Sequence, residues 1–323
     1  MKRLLAIVLA CAIVALAGVA RAETWPSRPI KLIVPTGPGA ATDVMARLLA
    51  DGVSRTLGQS VFVENIPGAS GILAHEAAAR AAPDGYTLIF TNSSGMAINL
   101  ISFKKLPYDP TRDFAEVALV CDLAPQMLSV NAKLPVSDVG ALIAYGKANP
   151  GKLSIAFDNT AGAAAFGAKL FNKRSGLGLV EVPYRSAAQA SQDIAAGLNQ
   201  VMMSSIIAAN GVVQSGAVRR LAITSRKRFP GLPDLPSLSE TVPGMVIDGF
   251  FAIVAPAGTP NDVVARLNRE IDRYLADPAV QKRLLTLGLA TSGGGTPEGS
   301  TQTIRREQDN WRAIGKELGV EPQ

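Results

Sequence analysis

Short apolar runs bounded by glycine or proline alternate along this chain with stretches whose apolar residues recur at helical spacing. Ile30 to Val34 (IKLIV) stops at Pro35, and the loop Thr36-Gly37-Pro38-Gly39-Ala40-Ala41 follows. Thr42-Asp43 then open a stretch in which Val44, Leu48, Leu49 and Val53 share a helical face, closed by Gly58. Ser60 to Glu64 alternates as a strand does, Pro67-Gly68-Ala69-Ser70-Gly71 is a second glycine-rich loop, and an alanine-rich helix runs to about Ala82. After the turn Pro83-Asp84-Gly85, Tyr86 to Phe90 is a third strand. The order βαβαβ is the unit of an open parallel sheet.

The pattern then restarts. Strands are predicted at 126–130, 153–157, 179–182, 201–205 and 221–224, with helices at 137–148, 163–173 and 187–196. The proline-rich stretch Pro230 to Gly244 reads as an extended connection, because proline gives a ladder no donor and breaks helices. Phe250 to Ala255 is one more strand, and helices at 261–275, 278–287 and 297–318 end the chain. The economical arrangement returns the chain to its first unit. The expectation is an α/β protein of two lobes, 23–121 plus 248–323 and 122–247, each an open, mainly parallel sheet flanked by helices. Ligands of such sheets sit outside the strands' carboxyl ends, so two facing lobes would form a cleft.

Composition narrows the classes. Hydrophobic residues make up 48% of 323 and charged ones 18%, too apolar for a disordered chain. Met1 to Ala22 carries Lys2 and Arg3, an uncharged run from Leu4 to Ala20, and the small residues of Ala20-Arg21-Ala22. This is the pattern of a secretory signal cleaved after Ala22. Its removal takes Lys2, Arg3 and Arg21 and no acid, lowering the net charge from +6 to +3. That mild excess suits an anionic small molecule and gives nucleic-acid binding no support. Of two cysteines only Cys121 would remain, so no internal disulfide forms, and a single histidine leaves little for a zinc site.

The candidate chemistry lies in loops that join strand ends to helix starts. Helix N-termini present unpaired N–H groups and a positive dipole end. Thr36, Pro38, Gly39, Ala40, Thr42 and Asp43 form the first such loop, Gly68, Ala69 and Ser70 lie in the second, and Asn159, Thr160, Gly162 and Ala163 in the third. Each alone also reads as an ordinary βα turn; three together favour binding of a carboxylate. Ser93, Tyr184, Arg185 and Ser204, at or after predicted strands, complete the candidate set, with Arg185 able to grip a carboxylate. No G-x-G-x-x-G, P-loop or G-x-S-x-G pattern occurs. His75 reads as a packing or surface histidine and Cys121 as a buried thiol.

The order of several short motifs carries a resemblance. They are Thr24-Trp25-Pro26-Ser27-Arg28-Pro29-Ile30, then Val34-Pro35 with Pro38-Gly39, Thr42-Asp43 and Arg47, and Val63-Glu64-Asn65 with Pro67-Gly68-Ala69 and Gly71. Later come Ala82-Pro83-Asp84-Gly85-Tyr86-Thr87-Leu88, Leu106-Pro107-Tyr108-Asp109-Pro110, Val182-Pro183-Tyr184 and Ala255-Pro256-Ala257-Gly258-Thr259-Pro260. Over essentially the whole mature chain the sequence resembles the extracytoplasmic solute receptors of tripartite tricarboxylate transporters, the Bug family. The resemblance implies a type II-like periplasmic-binding-protein fold with the ligand cleft between its lobes. It implies a monomeric periplasmic receptor, without cofactor or catalysis, that passes a small organic acid to a permease of one large and one small membrane subunit. It also implies that the first-lobe loops hold a ligand carboxylate through backbone N–H groups, partly through waters, while the second lobe supplies variable contacts.

The chain departs from that family in the second lobe. Ala165 stands where His is usual, Ser204 where an acid is common, and Arg185-Ser186 where Lys-Gly is frequent; in the first loop Ala40 replaces a glycine. These changes point to a ligand with a carboxylate at one end and a less polar body, and away from an amino acid. Two other readings stay open from sequence: a receptor that reports its ligand to a signalling membrane protein, and an exported hydrolase using Ser70 and His75.

Overall fold

The computed structural model describes residues 25–323, so the expected signal segment and its cleavage site lie outside the described residues. Two five-stranded sheets form the framework. In the first, β1 (Ile30–Val34), β2 (Val61–Asn65), β3 (Thr87–Asn92), β4 (Phe114–Cys121) and β10 (Phe251–Pro256) are ordered β2-β1-β3-β10-β4. The second holds β5 (Gln126–Asn131), β6 (Ser154–Asp158), β7 (Val180–Tyr184), β8 (Val201–Ser205) and β9 (Val218–Ile223), ordered β7-β6-β8-β5-β9. The two orders are the same topology. Four strands of each sheet point one way, and the fifth, β10 or β5, runs against both neighbours. Those two are the strands that arrive from the other lobe.

Strand composition follows from burial on both faces. In β1, Ile30, Leu32 and Val34 enter a core under α1 (Ala41–Leu57) and α8 (Asn261–Leu275), whereas Ile33 enters the core under α2 (Ile72–Ala79). A strand covered on both sides reads as a near-continuous apolar run, which is why IKLIV is apolar apart from Lys31, whose ammonium pairs with Glu64 (2.9 Å). The second sheet repeats this. Ile155 and Phe157 of β6 pack toward α5 (Ala163–Ser175), while Ala156 packs with Met127 and Met202 on the side of α6 (Ala187–Ala196) and α7 (Ile206–Gln214).

Register sets where the lobes meet. Phe251 of β10 pairs with Asn92 and with Cys121, so β10 begins at the carboxyl ends of β3 and β4. Gln126 of β5 pairs with Ser205, so β5 begins at the carboxyl end of β8. Only 122–125 separate β4 from β5, and five residue steps reach at most about 18 Å. The carboxyl ends of both sheets therefore face one another. The return crossing is tied to the first: Thr224 N–H donates to Gln126 O (2.9 Å), Gln126 N–H donates to Thr224 Oγ1 (2.9 Å), and Ala124 N–H donates to Gly249 O (2.9 Å). Cys121 is buried at this junction, its Sγ donating to Leu123 O and Ala290 O, and burial pushes the thiol up to about 12.

Three elements differ from the sequence reading. The sequence pattern predicts no strand at β4. It is a strand paired only on one side, and no glycine or proline marks its carboxyl end. The helical segment 94–102, a π-turn running into α3 (Asn99–Ser102), hides behind Ser94-Gly95. α7 starts one residue after β8, leaving no loop to signal a boundary, and its internal Asn210-Gly211 imitates a turn.

The last helix, α10 (Pro297–Leu318), follows α9 (Pro278–Thr286) and joins both cores. Ile304 packs with the α2-side core of the first sheet, whereas Trp311 is 1% exposed among second-sheet residues, edge-on to Phe166 at 5.6 Å. Glu317 accepts both Nε (2.9 Å) and Nη2 (2.7 Å) of Arg174. Trp311→Ala should therefore cost about 3–5 kcal/mol, the usual penalty for emptying such a site, read as a lower denaturant midpoint with the fold retained.

Candidate functional site

The first strand-to-helix loop is organised by one carboxylate. Asp43, in the first turn of α1 and 3% exposed, accepts from Gly39 N–H (2.9 Å) and Arg47 Nε (3.2 Å) at Oδ2. At Oδ1 it accepts from Asn65 Nδ2 (2.8 Å), with Arg47 Nη2 at 2.9 Å. Asn65, at the end of β2, also donates to Thr36 O (2.9 Å) and accepts from Arg47 Nη2 (2.9 Å). Burial alone would raise the Asp43 carboxyl; hydrogen bonds from Arg47, Asn65 and Gly39 and the Arg47 charge together hold it below its ordinary value. Asp43 thus shapes the loop and is not itself open to a ligand. The Gly39 N–H, expected to face ligand, is taken by Asp43. Gly39 itself is needed for its φ of +83°, which side-chain residues rarely adopt.

What this loop leaves available is the start of α1. Its N-cap, Ala40, has no side-chain cap, so the N–H groups of the first turn lack an intrahelical acceptor. In the same loop, among the described residues, Thr36 Oγ1 is buried with no hydrogen-bond partner. Thr42 is buried and receives Asn92 Nδ2 at 3.5 Å, while Ser93 Oγ accepts Phe250 N–H (3.0 Å), tying the floor of the loop to β10.

The second loop is strained. Ala69 (φ 46°) and Ser70 (φ 55°) occupy the left-handed region, as does Asn159 (φ 47°) in the facing lobe, and these are the three non-glycine cases among the described residues. Such conformations cost of order 1–3 kcal/mol each and persist only where surroundings enforce them. Here Asn99 Nδ2 donates to Ser70 O (3.2 Å), and His75 Nδ1–H donates to Gly71 O (2.8 Å). The other His75 nitrogen accepts from Thr91 Oγ1 (2.7 Å), so the fully buried ring is engaged at both ends, and neither end reaches Ser70. Burial pushes His75 down to about 4, against a smaller upward pull from the Gly71 bond. His75 supports the loop, and among the described residues its ring hydrogen-bonds Gly71 and Thr91 and no serine.

In the second lobe Asn159 Oδ1 accepts from Ser70 Oγ across the cleft (3.1 Å) and from Ala161 N–H (3.3 Å). Thr160 is exposed beside it, Gly162 is the N-cap of α5 without a side-chain cap, and Ala163 is its first residue. α7 likewise starts uncapped at Ser205. By contrast α4 (Val139–Ala148), α9 and α10 carry Asp138, Asp277 and Thr296 as caps, and α6 carries Ser186, while α8, with Pro260, is uncapped away from the cleft.

The remaining candidates divide. Tyr184 ends β7, but its hydroxyl donates to Asp193 (2.7 Å) and accepts from Asn199 (2.6 Å), a bond within the lobe. Ser204 is buried and donates to Ser205 O (3.2 Å). Pro38, Gly68 and Arg185 are exposed at the loop margins. Sequence reasoning passed over Asp158, a half-buried acid at the end of β6, because it read as the first residue of a loop. A cavity of about 660 Å³ lies to one side, lined by α5, Ser102-Phe103 and the tail after Leu318, and meets the candidate loops only at Thr160 and Ala161. Among the described residues no three His, Cys, Asp or Glu side chains gather to hold a metal.

Two outcomes follow from this geometry. Asp43→Ala orphans the Gly39 N–H, Asn65 and Arg47, and should cost about 1–3 kcal/mol while weakening carboxylate binding; denaturation and binding measured on one sample separate the two effects. His75, whose folded value lies below its unfolded 6.5, stays neutral while the unfolded chain takes up a proton. Its contribution is complete above pH 6.5 and is lost as pH falls toward 4, by roughly 1.4 kcal/mol per unit. Urea midpoints at pH 7.5 and 5 should show this fall, flattened in His75→Gln.

Known proteins share this arrangement. The family model described as "Tripartite tricarboxylate transporter family receptor" matches residues 45–320. Protein BugT of Bordetella pertussis is 35% identical over 323 residues, covering 99% of this chain and 98% of BugT. Among solved structures, an R. palustris protein with adipate superposes with a TM-score of 0.87 at 32% identity, covering 93% of this chain and all (100%) of that one. MatC of Rhodopseudomonas palustris with bound malate has a TM-score of 0.80 at 30% identity, covering 90% and 100%. With facing sheets, uncapped helix starts and a family match over most of its length, this chain belongs to the tripartite tricarboxylate transporter receptor family.

Proposed function

We propose that this protein is an exported solute receptor that captures a small organic carboxylate between lobes 23–121 plus 248–323 and 122–247. It then presents the ligand to a permease of large and small membrane subunits. The observation that carries this reading is the uncapped start of α1, with the unpartnered Thr36 hydroxyl in the loop before it, held in shape by Asp43, Asn65 and Arg47. Preorganised N–H donors at a positive helix end are what a carboxylate requires. The uncapped start of α5 lies across the cleft, and Ser70 and Asn159 bring the two loops within hydrogen-bond reach. Relatives whose solved structures are described with adipate and with bound malate support a carboxylate ligand. Export to the periplasm with cleavage after Ala22, and action as a monomer without cofactor, belong to the same proposal.

The test is thermal shift on refolded residues 23–323 against mono-, di- and tricarboxylates, aromatic acids and amino acids. Refolding removes any ligand retained from the expression host. A bound acid at about 100 times its dissociation constant should add roughly 2.7 kcal/mol, a readily measured rise in Tm. A flat response to every carboxylate overturns the proposal.

A further inference from the structure

Asp158 is the last residue of β6, and the register sets it beside Tyr184 of β7. Continuing the parallel pairing of Ile155 with Val201 and Ala156 with Met202 brings it next to Ser204 of β8. Ile155 and Phe157 point into the core under α5, so strand alternation turns Asp158 to the opposite face, where α6 and α7 begin. The next residue, Asn159, touches Ser70 of the other lobe, so Asp158 stands one residue from the point where the lobes meet. Its neighbours in the row are engaged: Tyr184 with Asp193 and Asn199, Ser204 with Ser205 O. Asp158 is not: among the described residues its carboxylate has its own backbone N–H and no side-chain donor or cation. Arg185 follows the end of β7 and is exposed.

A half-buried acid without a partner is costly unless something else supplies the donor. Burial indeed pushes the Asp158 carboxyl up. Across the cleft, the free N–H groups at the start of α1 demand the opposite charge. We propose that Asp158 reads the far end of the ligand, which is a small carboxylate carrying an N–H or O–H donor there rather than a second carboxylate or a bare alkyl group. This rests on the receptor reading above. It revises the expectation drawn from Ser204, since an acid missing from β8 is present one strand away on β6.

The experiment uses refolded residues 23–323 and matched four- and six-carbon series. These are butyrate, 4-hydroxybutyrate, 4-aminobutyrate and succinate, and hexanoate, 6-hydroxyhexanoate, 6-aminohexanoate and adipate, each titrated calorimetrically at constant ionic strength. In the wild type a donor-bearing acid should bind about tenfold or more tighter than its alkyl and dicarboxylate counterparts. Asp158→Asn, nearly isosteric, should erase that preference and improve the dicarboxylate. A wild type that favours the alkyl acid or the diacid overturns the proposal. So does an Asp158→Asn protein that keeps the wild-type ranking and changes only in Tm, which would make Asp158 a structural acid at the starts of α6 and α7. Should the variant not fold, the wild-type ranking decides alone. If no carboxylate in either series or the wider panel binds, the receptor reading itself fails, an outcome distinct from an altered ranking.

Discussion

The two strands that change lobe run backwards, and the rest of the architecture follows from that. β5 and β10 each enter a sheet at the carboxyl ends of its other strands, because the links that carry them across are short or tied together at Thr224. A right-handed crossover from one parallel strand to the next puts each helix start at the same end. The starts of α1, α5 and α7 are thereby gathered on the edges that face the other lobe. α10 then lies against both cores, with Ile304 on one side and Trp311 on the other, so the two sheets are joined at the back by packing as well as by chain.

Uncapped helix starts and left-handed backbone gather at the cleft. α4, α9 and α10 begin with a side chain bonded to their first N–H groups, while α1 and α5 begin with alanine and glycine. The non-glycine residues with left-handed backbone lie in the two loops that meet there. Neither feature favours stability, and both are held by contacts behind them. His75 and Asn99 fix the Ser70 loop from below, and a Cβ at Gly95 would stand 2.1 Å from the His75 ring, so even the space for that support is prescribed. A site that must offer donors without moving has to carry this cost in its supporting residues.

Sequence alone revealed nearly all of the regular elements, because strands buried on both faces and helices with one buried face have distinct periods. It missed β4, α7 and the 94–102 segment, each bounded by structure where a loop was expected. The loops of the site were legible as glycine-rich junctions after apolar runs. Roles within them were not. Asp43 read as a first-turn acid and proved to hold the Gly39 N–H that had looked available for ligand. Tyr184 read as a cleft residue, yet its hydroxyl reaches Asp193 and Asn199, contacts that depend on how α6 lies against β7. Asp158 went unremarked because an acid opening a loop is ordinary; what sets it apart is the absence of a partner, which only three-dimensional packing reveals.

The equivalence of the two sheets makes the difference between those two acids informative. Asp43 and Asp158 both lie where a strand gives way to a helix, α1 after β1 and α5 after β6, strands that occupy the same place in their sheets. In the first lobe the charge is matched by Arg47 and wrapped by Asn65 and a backbone N–H, leaving a neutralised loop whose free groups are donors. In the second lobe no cation among the described residues answers the acid, so a free acceptor stands near the uncapped start of α5. One topology used twice therefore yields a first-lobe loop that offers donors and a second-lobe loop that adds an acceptor to them. On the reading proposed above, a ligand that meets both is itself unlike at its two ends.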